Sequence, residues 1–414
     1  MFVLMGTLLL SGCNAKTEEN PQQSTEASDT VSTSVTEIDT SDMFSDRDKE
    51  VGYEETESVA ISLADGGSAC ESDAVSIAEN TVTIKEEGTY VLSGALSDGM
   101  VIVEAEDTDK VFVTTVSGTE NSLEHNGTYT AIDENNIDAA VFSKSDLTLN
   151  GEGTLTVTAE EGHGIVSKDD LILTSGTYVI TSTSHGISGK DSVRIANGSY
   201  TIVSGKDGIQ AENTEDSSLG FVYLAGGTFD ISSQQDGISA SSWLQAEDGT
   251  YTILTGEGST SVQSQSNGEG HPMEQMQQES TEKDTTSIKG TYTLSSGDDG
   301  IHADVNATIS GGNIDIAQSY EGIEGLSIDI TGGEIAVHAS DDGMNAAGGN
   351  DSSGFEGPGP GGDQFAATEG AYIHIGGGKL EVDAAGDGID SNGDITVSGG
   401  ETYVSDLRIV EMVL

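Results

Sequence analysis

Short runs in which apolar and polar residues alternate recur along most of the chain, beginning with Thr81–Ile84, residues 88–92 and Met100–Val103. A period of two places every second side chain on one face, which predicts short β-strands with one apolar side. Glycine punctuates these runs. A glycine followed two residues later by an aromatic or aliphatic residue stands at Gly153, Gly176, Gly198, Gly227, Gly249, Gly290, Gly312, Gly333 and Gly378. A second signature, an acid or histidine followed by glycine and an aliphatic residue, begins at His163, His185, Asp207, Asp236, Asp299, Glu321, Asp342 and Asp387. Steps of about 22 residues dominate both series.

At that step the apolar positions fall into columns. Leu173 precedes Ile195, Tyr178 precedes Tyr200, Ile180 precedes Ile202 and Ile187 precedes Ile209; later, Ile309, Ile314, Ile316 and Ile323 precede Ile330, Ile335, Val337 and Met344. Units of this length with matching inward columns close most simply as coils of a solenoid, each strand pairing with its equivalent about 4.8 Å away. The predicted fold is therefore all-β, a parallel β-helix. A propeller blade would need about 40 residues, and the consensus of a leucine-rich repeat is absent. The series Tyr178, Tyr200, Phe229, Tyr251 and Tyr292 occupies the position later held by Ile314, Ile335 and Leu380, so it is expected to stack inside the core, and Trp243 is read as a packing residue.

The apolar opening ends in Leu10-Ser11-Gly12-Cys13, the pattern of a lipobox, although the basic stretch of an export signal is missing. Residues 1–13 are therefore expected to be a lipoprotein signal with Cys13 as the lipidated residue, placing the protein outside the cell on a lipid anchor. No later apolar run approaches the roughly 20 residues a membrane span requires. Residues 14–58 are polar enough to read as a disordered spacer. Residues 59–160 follow as an N-terminal cap with the first coils, and 161–404 as the β-helix proper. Inserts at 256–287 and 348–368 read as long loops, and 405–414 as an atypical tail.

Charge then changes the picture. The chain carries 72 acidic against 14 basic residues, a formal charge of -58, which excludes nucleic acid and anionic headgroups as direct partners. The acids are not scattered. In the second signature, the residue before glycine and the residue three further on form two columns, mild in the early coils, where His163 and His185 read as hydrogen-bonded corner residues. Further along they become Asp299 with His302, Glu321 with Glu324, Asp342 with Asn345 and Asp387 with Asp390, flanked by Asp298, Asp304 and Asp341. Carboxylates stacked one strand spacing apart repel by about 3 kcal/mol per pair at an effective dielectric near 20. No Lys or Arg lies between Lys289 and Lys379 to neutralise them. Bound cations are the economical solution, and oxygen ligands favour calcium over zinc. The expected ligands are Asp298, Asp299, Asp304, Glu321, Glu324, Asp341, Asp342, Asn345, Asp387 and Asp390, against the plainer reading of a solvated acidic face.

Residues 147–157, His163-Gly164-Ile165, residues 167–170, residues 298–302, residues 320–325, residues 341–345 and residues 386–393 together resemble the bacterial carbohydrate-binding domain-containing proteins. The resemblance covers about Val82 to Val404 and implies an extracellular protein, often a lipoprotein, with a right-handed parallel β-helix like that of pectate lyases. It further implies binding of calcium, cellulose and acidic sugar polymers such as polygalacturonate without an established enzymatic activity. The expected function is thus calcium-dependent polysaccharide binding by a monomer, with no catalytic residue assigned. Two alternatives stand beside it: a calcium-dependent polysaccharide lyase, for which the acidic coils offer no Lys or Arg as base, and a surface scaffold that calcium merely stiffens.

Overall fold

The structure, a computed structural model, describes residues 39–106, 108–127, 130–132, 135–256, 298–346 and 367–405. The lipobox with Cys13, Tyr292, nearly all of the two inserts and residues 406–414 lie outside them.

Each coil of the main body lays down three strands, and each strand pairs in parallel with its counterpart in the next coil. In the first sheet His163–Ser167 is followed by Ile187–Gly189, Ile209–Ala211 and Ile238–Ala240. In the second, Asp170–Leu173 is followed by Ser192–Ile195, Phe221–Leu224 and Trp243–Ala246. In the third, Thr177–Ser182 leads through Ser199–Ser204, Thr228–Ser233 and Thr250–Thr255 to Asn313–Ser319, Glu334–Ala339, Lys379–Ala384 and Glu401–Ser405. Ile301–Ile309 and Ile323–Ile330 run continuously from the first sheet into the second. The chain is a parallel β-helix, and all eight apolar pairs expected from the repeat are register partners.

One apolar core fills the solenoid from Ile61 to Ala384. The aromatic column is internal, as the repeat predicts: Tyr178, Tyr200, Phe229 and Tyr251 stack at 5.2, 4.8 and 4.6 Å with nearly parallel rings. Their hydroxyls stay satisfied by reaching back to main-chain carbonyls, Tyr178 to Ser175, Tyr200 to Asn197 and Tyr251 to Asp248. Gly176 makes the corner before Tyr178 at φ 115°, where a Cβ would meet the ring at 3.1 Å. Trp243 packs differently, on the outside of the second sheet, half-buried and stacked on Phe221 at 4.2 Å.

The end of the polar stretch read as spacer departs from that reading, because residues 39–50 dock along the outside of the second sheet. Ser45 and Asp48 cap the short helix Asp46–Lys49 reciprocally, and buried Asp48 also accepts the Thr148 hydroxyl at 2.8 Å. Arg47 lies 4.4 Å over the Phe112 ring, Phe44 lies 5.7 Å from Tyr223, and Arg194 donates to Met43 O at 3.0 Å. Few apolar residues are needed when Arg47 and Asp48 meet fixed partners on the sheet.

Candidate functional site

The acid-or-histidine position before glycine forms one unbroken main-chain ladder at the corner entering the first sheet. Gly186 N–H donates to Asp207 O, Gly208 to Asp236 O, Gly237 to Asp299 O, Gly300 to Glu321 O, Gly322 to Asp342 O and Gly343 to Asp387 O, all at 2.8–3.0 Å. Only glycine fits beside it. A Cβ on Gly300 would stand 2.6 Å from Ile316 Cγ2 and 2.7 Å from Gly322 O. The ladder therefore dictates that one charged side chain per coil points to the same place, one strand spacing from the next. The second column, three residues on, is equally regular: Ser239 pairs with His302, His302 with Glu324, Glu324 with Asn345 and Asn345 with Asp390.

At the centre stands Asp299, only 1% exposed. Its carboxylate converges with Asp236 and His302 on one side and with Glu321 and Glu324 on the other, each trio bringing ligand atoms within 4.8 Å of one another. Its Oδ1 makes no hydrogen bond with any described residue. Main-chain donors brace neighbouring carboxylates: Asp236 N–H donates to Asp207 Oδ1 at 3.1 Å, Asp299 N–H to Asp236 Oδ1 at 2.9 Å, and Asp387 N–H to Asp342 Oδ1 at 2.6 Å. Asn345 Nδ2 donates to both oxygens of Glu321, at 3.3 and 3.2 Å.

Concentrating carboxylates in a buried corner makes their charged forms costly. Burial, reinforced by the charge of Asp207, pushes Asp236 up to about 7. Burial likewise lifts Asp342 to about 7, with Asp341, Asp390 and Asp387 adding to it, and drives Asp299 well above the usual range. His302 is a counter-charge inside the stretch that holds no Lys or Arg. Burial disfavours its cation, but Asp299 at 3.2 Å and Glu324 at 2.8 Å on Nδ1, with Asp304 at 2.9 Å on Nε2, outweigh that and raise its pKa. Glu324, pushed up by burial, is pulled down further by its bonds to His302 and Asp299.

Of the ten expected ligands, the structure brings Asp299, Glu321 and Glu324 into convergent groups among the described residues. Asp342, Asn345, Asp387 and Asp390 continue the same two columns. Asp298 and Asp341 sit one residue ahead of the first column, and Asp304 is exposed on the outer side of His302. Asp236 and His302 belong to the convergent groups and were absent from the expected set. Their positions in the two columns were legible, but Asp236 meets its acidic neighbour one coil away rather than within its own.

Earlier in the ladder the side chains serve packing. His163 and His185 stack at 5.0 Å, with His163 Nε2 3.4 Å from Asp138 and His185 Nδ1 3.0 Å from Asp207. Lys379, which ends the stretch free of Lys and Arg, lies on the third sheet in ion pairs with Glu334 and Glu381, at 3.2 and 2.8 Å.

The model of the carbohydrate-binding domain-containing protein family matches residues 78–111 and 105–343. A curated relative from Acetivibrio thermocellus, described as a carbohydrate-binding domain-containing protein, is 27% identical over 135 residues, which is 26% of this chain and 47% of the relative. The match thus spans about half of that relative's length. Among solved structures, a polysaccharide lyase-like protein from C. thermocellum, determined as a gadolinium derivative, is 27% identical with a TM-score of 0.44, over 48% of this chain and 92% of that one.

Proposed function

The chain belongs to the carbohydrate-binding domain-containing protein family, and from that premise we propose that it binds polysaccharide through cations, calcium foremost, held along the acidic corner. The observation that carries this reading is the placement of Asp299: a buried carboxylate with one oxygen that has no hydrogen-bond partner among the described residues, surrounded by Asp236, His302, Glu321 and Glu324. Such a group gains most from a hard cation that needs several oxygen ligands and tolerates irregular geometry. Asp299, Glu321 and Glu324 would hold the ion, with Asp236 adjoining. Asp342, Asp387 and Asp390, with Asn345, would extend the same row to further ions.

Supporting a cation-bridged mode is the charge of -58, which would repel an acidic polymer such as polygalacturonate unless bound cations joined the two sets of carboxylates. A neutral glucan such as cellulose would need no bridge, so the two ligands respond differently to chelation. We further propose that the protein works outside the cell, anchored through Cys13.

Calorimetric titration of the chelator-stripped full chain with calcium, followed by pull-down on insoluble polysaccharides with calcium and with chelator, tests the reading. Calcium uptake with chelator-sensitive retention supports it. Uptake and thermal stabilisation without retention on any glycan would replace it with the scaffold reading, and calcium-dependent release of unsaturated uronate would replace it with lyase chemistry.

A further inference from the structure

Three successive coils bring Asp329, His374 and Ser398 together on the outer side of the second sheet. Asp329, on Ile323–Ile330, is the register partner of His374, on Tyr372–Ile375; His374 in turn pairs with Thr396, two residues before Ser398. His374 spans the gap. Its Nδ1 lies 3.3 Å from Asp329 Oδ1 and its Nε2 lies 2.9 Å from the Ser398 hydroxyl. Because an ionised carboxylate only accepts, Nδ1 carries the ring proton and Nε2 is left to accept from Ser398.

The supporting groups are as ordered as the relay. Asp329 is 1% exposed although it lies on the outer face, and its Oδ2 accepts from the Tyr372 hydroxyl at 2.7 Å and from Asn306 Nδ2 at 3.1 Å. His374 is half-buried and Ser398 exposed, so the outer end of the chain of bonds reaches solvent. Gly376 leaves room there: a Cβ would stand 3.0 Å from His374 Cε1 and 3.7 Å from Ser398 Oγ. Among the described residues, Gln245 and Thr308, at the equivalent positions in earlier coils, make side-chain bonds to residues two away and form no such relay.

We propose that Ser398 and His374 are catalytic residues, with Asp329 as positioning residue, for hydrolysis of small carboxylic esters. The natural substrate class, O-acyl groups on a polysaccharide, rests on the function proposed above. Ser398 Oγ attacks the ester carbonyl carbon as His374 Nε2 takes the hydroxyl proton. The tetrahedral intermediate collapses, breaking the bond to the alcohol oxygen, and His374 returns the proton to that leaving oxygen. A water, deprotonated by His374 Nε2, then attacks the acyl-serine, and collapse breaks the bond from the acyl carbon to Ser398 Oγ, which takes the proton back from His374 as the carboxylic acid leaves. The Gly399 N–H, whose bond among the described residues is a long one of 3.3 Å to Ile375 O, is the main-chain donor next to the nucleophile for the developing oxyanion.

The test uses the full chain with p-nitrophenyl acetate as substrate and a fluorophosphonate as covalent probe, located by peptide mass spectrometry. The probe is expected on Ser398. Ser398→Ala, an exposed change that leaves the fold intact, is expected to abolish labelling and lower hydrolysis at least about 100-fold, as is His374→Ala. Asp329→Asn is expected to lower kcat about 10-fold or more with KM unchanged, a split that loss of fold would not give. Absence of label from Ser398, or wild-type hydrolysis by Ser398→Ala, would overturn the proposal and leave the three side chains as a structural hydrogen-bond chain. Because p-nitrophenyl acetate carries no sugar, failure of ester cleavage and failure of polysaccharide binding are read separately.

Discussion

The main-chain N–H of Asp299 donates to Asp236 Oδ1 at 2.9 Å, so the backbone of one coil fixes the carboxylate of the coil before it. Asparagine keeps this acceptor while removing the charge. Asp236→Asn is therefore expected to raise the melting temperature of the chelated protein at pH 8 by a few degrees, corresponding to about 1–3 kcal/mol of relieved desolvation and repulsion. The same change is expected to weaken calcium binding about 10-fold or more. Scanning calorimetry and calcium titration of one variant read both effects, and a variant destabilised in chelator would contradict the account of the corner.

The period of about 22 residues made the inward columns readable, because Ile309 and Ile330, or Tyr178 and Tyr200, differ by one coil and nothing else. The candidate site was readable only as columns. Which members converge depends on side-chain direction between coils, and that is why Asp236 and His302 joined the group while Asp298 and Asp304 did not. The strap formed by the docked residues 39–50 was not readable at all. Asp48 finds its partner Thr148 100 residues away, on a strand whose outward positions carry no periodic signal.

The aromatic column contains its own control, since Phe229 lies between Tyr200 and Tyr251 in one stack. Tyr200→Phe is expected to cost about 1 kcal/mol, the bond from its hydroxyl to Asn197 O, whereas Tyr200→Ala leaves a cavity in the core and is expected to cost about 3–5 kcal/mol. Urea denaturation of the two variants gives the ratio. Equal losses would mean that the buried hydroxyl, rather than the ring, holds the stack.

His163 gives a pH dependence of definite sign. Burial holds its pKa below the ordinary 6.5, against the pull of Asp138. Below 6.5 the unfolded chain takes up a proton that the folded site refuses, so stability is lost as pH falls from 6.5 towards the depressed folded value, and is fully present above 6.5. His163→Asn removes this contribution. Melting temperatures of the variant and wild type, compared at pH 7.5 and pH 5.5, are expected to show a pH-dependent fall smaller by about 1–3 °C in the variant. An unchanged difference would mean that His163 is protonated in the folded corner.

The strap supplies the last prediction. Asp48 accepts from Ser45 N and Oγ at 2.8 and 2.6 Å and from Thr148 Oγ1 at 2.8 Å while only 1% exposed, so its carboxylate holds both the helix cap and the attachment to the sheet. Asp48→Ala removes both and strands the Thr148 hydroxyl, a local loss of about 2–3 kcal/mol. The coils beneath keep their own core, so the loss is expected as local opening rather than a lower global melting temperature. Limited proteolysis within residues 39–50 should accelerate about 10-fold or more while cleavage elsewhere stays constant. Arg194→Ala, which removes the bond to Met43 O, the pairing with Asp170 and the local contacts with Ser192 and the Phe221 ring but nothing that touches the helix, should loosen residues 39–43 and leave the helix protected. If both variants opened the strap equally, its docking would be a single cooperative event instead of two separable attachments, and hydrogen exchange at the amides of Asp48 and Lys49 distinguishes these directly.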